Sequence, residues 1–267
     1  MHGIIEMVDV EVTLGTYQAL RGITLSFPAG KSTVIMGQSG CGKSTLLKVA
    51  AGLTPPDTGK ILFQGHDIHH LSERGLRAMR RTNGFVFQDG ALWENKTLFE
   101  NLALPLEFAQ PELGVADVRR RVARSLEKVG LEESMNDRPA ALSGGEKKIA
   151  SFLRALITEP TLVFLDEPTL SIDHEMSEKI NQMIRDLKAR GATIIAVTHD
   201  PVLTATLADR LVIMDAGHVL ESGEFDEVKM TRNPRVRSIL AQVLGEIAAY
   251  DTDLLTLLDG GPDGGPN

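Results

Sequence analysis

"GQSGCGKS", residues 37–44, sets a glycine, four residues, a second glycine, a lysine and a serine in one row. The apolar "STVIM" before it reads as a strand, and "KSTLLKVAAG", which overlaps its end, reads as a helix closed by Gly52. This is the Walker A pattern in its strand–turn–helix context. Successive backbone N–H groups and the positive end of the helix can cradle phosphate oxygens. Gly37, Gln38, Ser39, Gly40, Cys41, Gly42, Lys43, Ser44 and Thr45 are therefore expected to hold a nucleotide. Lys43 is expected to reach the β- and γ-phosphates, and the Ser44 hydroxyl to ligate Mg²⁺.

Outward from that loop the pattern continues as α/β. Upstream, "IIEMVDVEV" and "LRGITLSF" flank the turn-like "LGTYQ" and predict two antiparallel strands. Downstream, "TLVFL", "TIIAV" and "RLVIM" predict three more strands, the first two joined by a helix with Met176, Ile180, Ile184 and Leu187 inward. Such alternation implies a mainly parallel sheet covered by helices. The mostly helical stretch at about 90–160 is too long for an ordinary crossover, whose loops run ~2–6 residues, and predicts an inserted helical subdomain. Within it Val118, Val122, Leu126 and Val129 recur opposite Arg119, Arg120, Arg121, Arg124 and Lys128, so those cations read as a solvated face. Val236, Ile239, Leu240, Val243, Leu244 and Ile247 predict a last amphipathic helix. The division expected is a domain over 1–245 and an extension over 246–267 that ends in a disordered "DGGPDGGPN".

The 267 residues, 42% of them hydrophobic, suffice for one large core with a subdomain. A net charge of −8 disfavours nucleic acid as a partner, since such binding leaves a basic footprint. No apolar run approaches the ~18 residues of a membrane span, and the N-terminus lacks signal-peptide order. The chain is expected to stay in the cytoplasm. A lone cysteine, Cys41, rules out an internal disulfide framework.

Two further stretches carry chemistry. "LVFL" ends in Asp166 and Glu167, at the carboxyl end of a strand, where open α/β sheets bind ligands. Asp166 can orient a Mg²⁺ shell, and Glu167 can take a proton from the water that attacks a γ-phosphate. In "LSGGEKK", Ser143 suits a helix N-cap, and Gly144 and Gly145 allow a phosphate to approach the helix end.

These motifs, in this order, closely resemble the ATPase subunit of ABC transporters over roughly the first 230 residues. Gln88 stands at the Q-loop position, "LSGGE" resembles the signature, Asp173 in "LSID" the D-loop, and His199 in "VTHD" the switch histidine. The resemblance implies a P-loop NTPase fold: a RecA-like parallel-sheet core, an N-terminal antiparallel β subdomain and an inserted α-helical subdomain. It also implies ATP and Mg²⁺, held in a head-to-tail homodimer where Ser143, Gly144 and Gly145 act on the partner's nucleotide. Glu167, His199, Gln88 and Lys43 would be catalytic, Ser44, Gln88 and Asp166 would hold the metal, and Asp173 would couple the two sites. Three positions depart from the family pattern. Leu14 occupies the usual place of an adenine-stacking aromatic, so either Tyr17 reaches the base from a shifted loop or stacking is weak. Glu146 replaces the usual glutamine, and Leu170 a small residue.

The segment after Gln88 receives the membrane subunit in this family. Here "FQDGALWENKTLFENLALPLE" and "NPRVRSIL" look like the ATPases of Mla-type lipid transporters, which work with a permease and an MCE-type lipid-binding protein. The resemblance implies docking of permease subunits near Gln88 to Leu102, at the cytoplasmic face of the inner membrane. Trp93 is the best candidate for contact, though it can equally support the loop from beneath; Leu98 and Leu102 read as packing. A transporter for amino acids or lipoproteins, or a regulatory module that moves no substrate, shares every catalytic residue. His66, His69 and His70 in "HDIHH" read as solvated, as does "RGLRAMRR". Leu254, Leu255, Leu257 and Leu258 form an apolar patch suited to a neighbouring subunit, with a free or membrane-touching tail the alternative.

Overall fold

The alternation near the N-terminus forms β1 (Ile5–Leu14) and β2 (Tyr17–Phe27), paired antiparallel from Ile5 opposite Phe27 to Leu14 opposite Tyr17. The inward residues of β1 are Ile5, Met7, Val10 and Val12, so parity changes between Met7 and Val10. A register shift there, with Asp9 at φ 50°, supplies the extra residue of a bulge and keeps both halves of the strand facing the core. The molecule is a computed structural model that describes residues 3–248, with side-chain surroundings up to residue 242. The expected extension over 246–267, including Leu254 to Leu258, lies outside the described residues apart from the end of the last helix.

On its other edge β1 pairs with β4 (Thr58–Phe63), which pairs with the short β5 (His66–Asp67), giving the order β2-β1-β4-β5. Neither β4 nor β5 is marked by the sequence pattern. The expected histidine loop is in fact β5 and a single 3₁₀ turn, Ile68–His70, with His66, His69 and His70 exposed.

The second sheet contains β3 (Ser32–Gly37), β6 (Asn83–Val86), β7 (Leu162–Asp166), β8 (Thr193–Val197), β9 (Arg210–Asp215) and β10 (His218–Glu224). Its order is β10-β9-β3-β8-β7-β6, parallel throughout except for the β9–β10 edge hairpin. Every residue of β3, β7 and β8 is buried, which is why these strands read as continuous apolar runs. Successive side chains of β3 enter two cores. Ile35 joins the β1–β2 sheet and the helix α1 (Lys43–Ala50), whereas Val34 and Met36 join the helices on the opposite face. That helix stops where the N–H groups of Gly52 and Leu53 bond the carbonyls of Val49 and Lys48.

After α2 (Glu73–Thr82) and β6 the chain runs through α3 (Leu98–Ala109), α4 (Val115–Glu127) and α5 (Gly144–Leu156) before it returns as β7. This is the helical stretch expected at about 90–160. Val118, Val122 and Leu126 are buried while Arg119, Arg120, Arg121 and Arg124 face outward. Leu98 and Leu102 are core residues, as their helical spacing predicts. The remaining helices are α6 (His174–Ala189), α7 (Pro201–Leu207), α8 (Phe225–Lys229) and α9 (Pro234–Ala248). No helix among the described residues is long and apolar enough to cross a membrane.

Candidate functional site

Parallel register delivers the predicted residues to one place. Ile35 on β3 and Asp166 on β7 both align with Val197 on β8, so the turns after Gly37, Asp166 and Val197 leave the sheet side by side. A cleft of about 560 Å³ opens there, lined by Tyr17, Ser39, Gly40, Gly42, Lys43, Ser44, Thr45, Gln88, Glu167 and His199. Residues as far apart in sequence as Ser39 and His199 thus share a wall because neighbouring strands end at the same level.

The floor is the loop into α1. Gly42 caps that helix at φ 105°, and a Cβ there would strike the Ala19 carbonyl oxygen, so glycine is required on both counts. The helix carries no side-chain N-cap, and its first-turn amides point toward the cleft with the positive end of the dipole. Lys43 is folded over the loop, its Nζ donating to the carbonyls of Gly37 (2.8 Å) and Gln38 (3.0 Å). Cys41 can serve the loop only through its main chain. Its side chain is 4% exposed and its N–H donates to the Gln38 carbonyl, so it backs the loop and does not line the cleft. Burial also raises the Cys41 thiol pKa. The Gln38 side chain likewise turns away, donating from Nε2 to Gln242 Oε1 on α9 at 3.2 Å. Tyr17 is tethered to this loop through its hydroxyl, which donates to the Gly40 carbonyl at 2.9 Å, and Leu14 stands beside it at the cleft mouth.

The far wall carries the carboxylates. Ser44 Oγ donates to Asp166 Oδ1 at 2.7 Å, which puts a hydroxyl and a carboxylate together, with Gln88 lining a second hollow beside Asp166. These hard oxygen donors suit Mg²⁺. Glu167 sits at φ 48° on the turn after β7, its N–H bonded to the Val197 carbonyl, and is only 7% exposed. Burial lifts its pKa to about 6, against the pull of the His199 N–H and Lys43. The His199 N–H donates to Glu167 Oε2 at 3.2 Å, and His199 Nε2 lies 3.4 Å from Glu167 Oε1.

Other predicted residues stand outside the cleft of their own chain. Ser143 caps α5 by a reciprocal box: its Oγ accepts the Glu146 N–H, and Glu146 Oε2 accepts the Ser143 N–H at 2.8 Å. Glu146, the departure from glutamine, therefore has a structural task, and the Ser143 N–H lowers its pKa. Gly145 is pressed so closely against Met176 that a Cβ would lie 2.9 Å from that side chain. Asp173 caps α6, accepting the Met176 N–H at 2.9 Å, next to the signature glycines. Trp93 is 47% exposed, with Lys96 Nζ 5.9 Å from the ring centroid. The buried Asn101, which no sequence motif singles out, accepts the Trp93 N–H and donates to the carbonyls of Trp93, Lys96 and Thr97. Thr169 Oγ1 donates to Asp200 Oδ2 at 3.1 Å, tying the turn after Glu167 to the turn after His199. Residues 20–170, which contain the phosphate loop and both carboxylates, match the model of the family described as ABC transporter.

The chain belongs to the ABC transporter family.

It has the ATP-binding-cassette fold of that family. A dimeric ATP-binding cassette solved in a post-hydrolysis state with ADP and Pi superposes with a TM-score of 0.75 at 29% identity, covering 82% of this chain and 98% of that one. The methionine import ATP-binding protein MetN of Brucella abortus (strain 2308) is 39% identical over 242 residues, 90% of this chain and 65% of that protein. This chain therefore spans just under two thirds of that relative's length. The cell division ATP-binding protein FtsE of Escherichia coli (strain K12) is 38% identical over 206 residues, 77% of this chain and 92% of FtsE.

Proposed function

We propose that the chain is the ATP-hydrolysing subunit of an ABC transporter, working as a homodimer bound to a membrane permease at the cytoplasmic face of the inner membrane. The observation that carries this reading is the desolvated carboxylate of Glu167 beside His199, at the edge of a cleft floored by the phosphate loop.

In this reading the first-turn amides of α1 bind the phosphates, while Lys43 leaves its loop carbonyls to meet the β- and γ-oxygens. Mg²⁺, held by Ser44, Asp166 and Gln88, would neutralise charge on the β- and γ-phosphates. Glu167 takes the proton of the attacking water at a carboxylate oxygen, and its raised pKa brings it nearer to neutral pH as a base. His199 orients Glu167 and faces the γ-phosphate. Tyr17, already fixed at the cleft mouth, is the aromatic for adenine. Ser143, Gly144 and Gly145 serve the partner's nucleotide, which accounts for their place outside their own cleft. Glu167→Gln is the test: ATP binding persists and turnover falls ~10²–10⁴-fold. Ordinary hydrolysis by that variant would remove Glu167 from this role.

For the transported substrate we place an importer of a small solute such as an amino acid ahead of the lipid reading. The likeness to the methionine-import protein supports it, whereas the Mla-type resemblance of residues 87–107 and 233–240, and the MCE-type partner with it, gains no support from the relatives above. The likeness to FtsE, matched over 92% of its length, favours a second reading, a regulatory ATPase that controls a membrane complex. Capture of the chain with its membrane subunits separates them. A permease with a solute-binding protein supports import, an MCE protein carrying phospholipid restores the lipid reading, and a division complex supports regulation.

A further inference from the structure

Two cations on α5 are turned onto the main chain that follows Gln88. Lys148, 6% exposed, donates from Nζ to the Gln88 carbonyl. Arg154 Nη1 donates to the Ala91 carbonyl at 2.7 Å, and its Nη2 lies 3.5 Å from the Gly90 carbonyl. Neither forms an ion pair with a carboxylate among the described residues, although Asp166, Glu167 and Asp89 all act on Lys148 through space. Burying the Lys148 ammonium without a paired carboxylate is unfavourable, so its bond to the Gln88 carbonyl is what offsets that cost, while the half-buried Arg154 adds its donors to the same short segment.

That segment is itself strained, and the face of α5 it rests on is incompletely satisfied. Ala91 is held at φ 45°, a conformation costly for a residue with a Cβ, and its carbonyl is the one that Arg154 grips. Ser151, between the two cations on α5, faces Gly90 with a buried hydroxyl that has no hydrogen-bond partner among the described residues. A seat with one strained residue and one unpaired hydroxyl suits an element with a second arrangement nearby. At one end of the segment stands Gln88 in the cleft; at the other Trp93 begins the loop held by Asn101.

We propose that Lys148 and Arg154 form a cationic clamp through which α5, whose N-terminus carries Ser143 to Gly145, fixes residues 88–91, so that movement of α5 on nucleotide-driven pairing carries Gln88 and the Trp93 loop with it. Both are positioning residues: they act on the reaction through Gln88 and on the partner surface through Trp93. The inference rests on the ATPase reading above and names the internal link between its two ends.

Trp93 is the only tryptophan of the chain, so its emission reports on this loop without labelling. The full chain carrying Glu167→Gln, which holds ATP unhydrolysed, is the parent for fluorescence, with affinity followed by a fluorescent ATP analogue. Mg²⁺–ATP is expected to shift Trp93 emission in the parent. Lys148→Met or Arg154→Gln should keep nucleotide affinity within ~3-fold, lose more than half of that shift and, with Glu167 restored, lower kcat ~10–100-fold at similar KM, the scale of a misplaced catalytic group. Arg154→Lys, with one donor head, should fall between. Ala91→Gly leaves both cations and the carbonyls they grip in place and relieves the strained residue, so it separates clamp from strain: the parental ATP shift should persist in it. A parent without a Trp93 shift despite bound ATP, a parental shift and kcat in Lys148→Met and Arg154→Gln, or loss of the shift in Ala91→Gly, which would assign it to strain, overturns it. Failure of the parent to bind ATP at all would instead reject the ATPase reading.

Discussion

Replacing Glu167 by glutamine should stabilise the free protein while it stops hydrolysis, and the size of the gain can be worked from the burial of one carboxylate. The pKa of Glu167 is raised from 4.5 to about 6, with burial the main cause. A carboxylate whose folded pKa exceeds its unfolded value makes the ionised fold less stable, so its penalty is full above the folded pKa and vanishes below the unfolded one. A shift of 1.5 units corresponds to about 2 kcal/mol at pH 8, falling to roughly 0.8 kcal/mol at pH 5. Glutamine removes the charge, keeps the volume and keeps an oxygen for the His199 N–H, so most of this penalty should return as stability. For a chain of this size ~2 kcal/mol is roughly 4–8 °C in melting temperature, and partial water access sets the expectation at the lower end. The assay is thermal and urea unfolding of nucleotide-free wild type and Glu167→Gln at pH 8 and pH 5. The reasoning is refuted if the variant is no more stable at pH 8, or if its advantage does not shrink toward pH 5.

Three more outcomes are expected. The kcat/KM for ATP hydrolysis, which reports the nucleotide-free enzyme, should fall on acidification through about pH 6, ~10-fold per unit below it, because the protonated Glu167 cannot accept the water's proton; an acid limb centred near 4.5 in a pH–kcat/KM profile would contradict this. Asn101→Ala deletes the group that bonds Trp93, Lys96 and Thr97 and leaves buried main-chain atoms unpaired, so urea unfolding should show a loss of about 2–4 kcal/mol. Trp93→Ala removes a half-exposed ring, so the isolated chain should melt within about 2 °C of wild type while stimulation of its ATPase by the permease is lost; a large drop in melting temperature would assign Trp93 to loop support.

The signals read correctly from the sequence are those that are short and local. Gly42, Lys43 and Ser44 act through a turn and the first turn of one helix, so their chemistry fits in eight consecutive letters. The fully buried β3, β7 and β8 announce themselves as apolar runs for the same reason. Exposed or mixed strands do not: β4, β5 and β10 alternate weakly, and only pairing with β1, β4 and β9 respectively makes them strands. Lys148 and Arg154 went unread because each acts on main chain brought to it by folding, whereas Asn101 bonds the turn just before its own helix, in a loop shape that no motif marks. The inward turn of the Cys41 side chain was likewise not legible, because the motif fixes the loop's main chain and not which side chains back it.

Sequence alone therefore determined the family and the phosphate-loop motif and supplied the candidates for the reacting groups, since these depend on residue type and short spacing. Tertiary structure decided which of those groups meet. The strand order β9-β3-β8-β7 brings Lys43, Glu167 and His199 to one cleft from distant parts of the chain. Burial in that cleft, a property of the assembled walls and of no single residue, then sets Glu167 near pH 6.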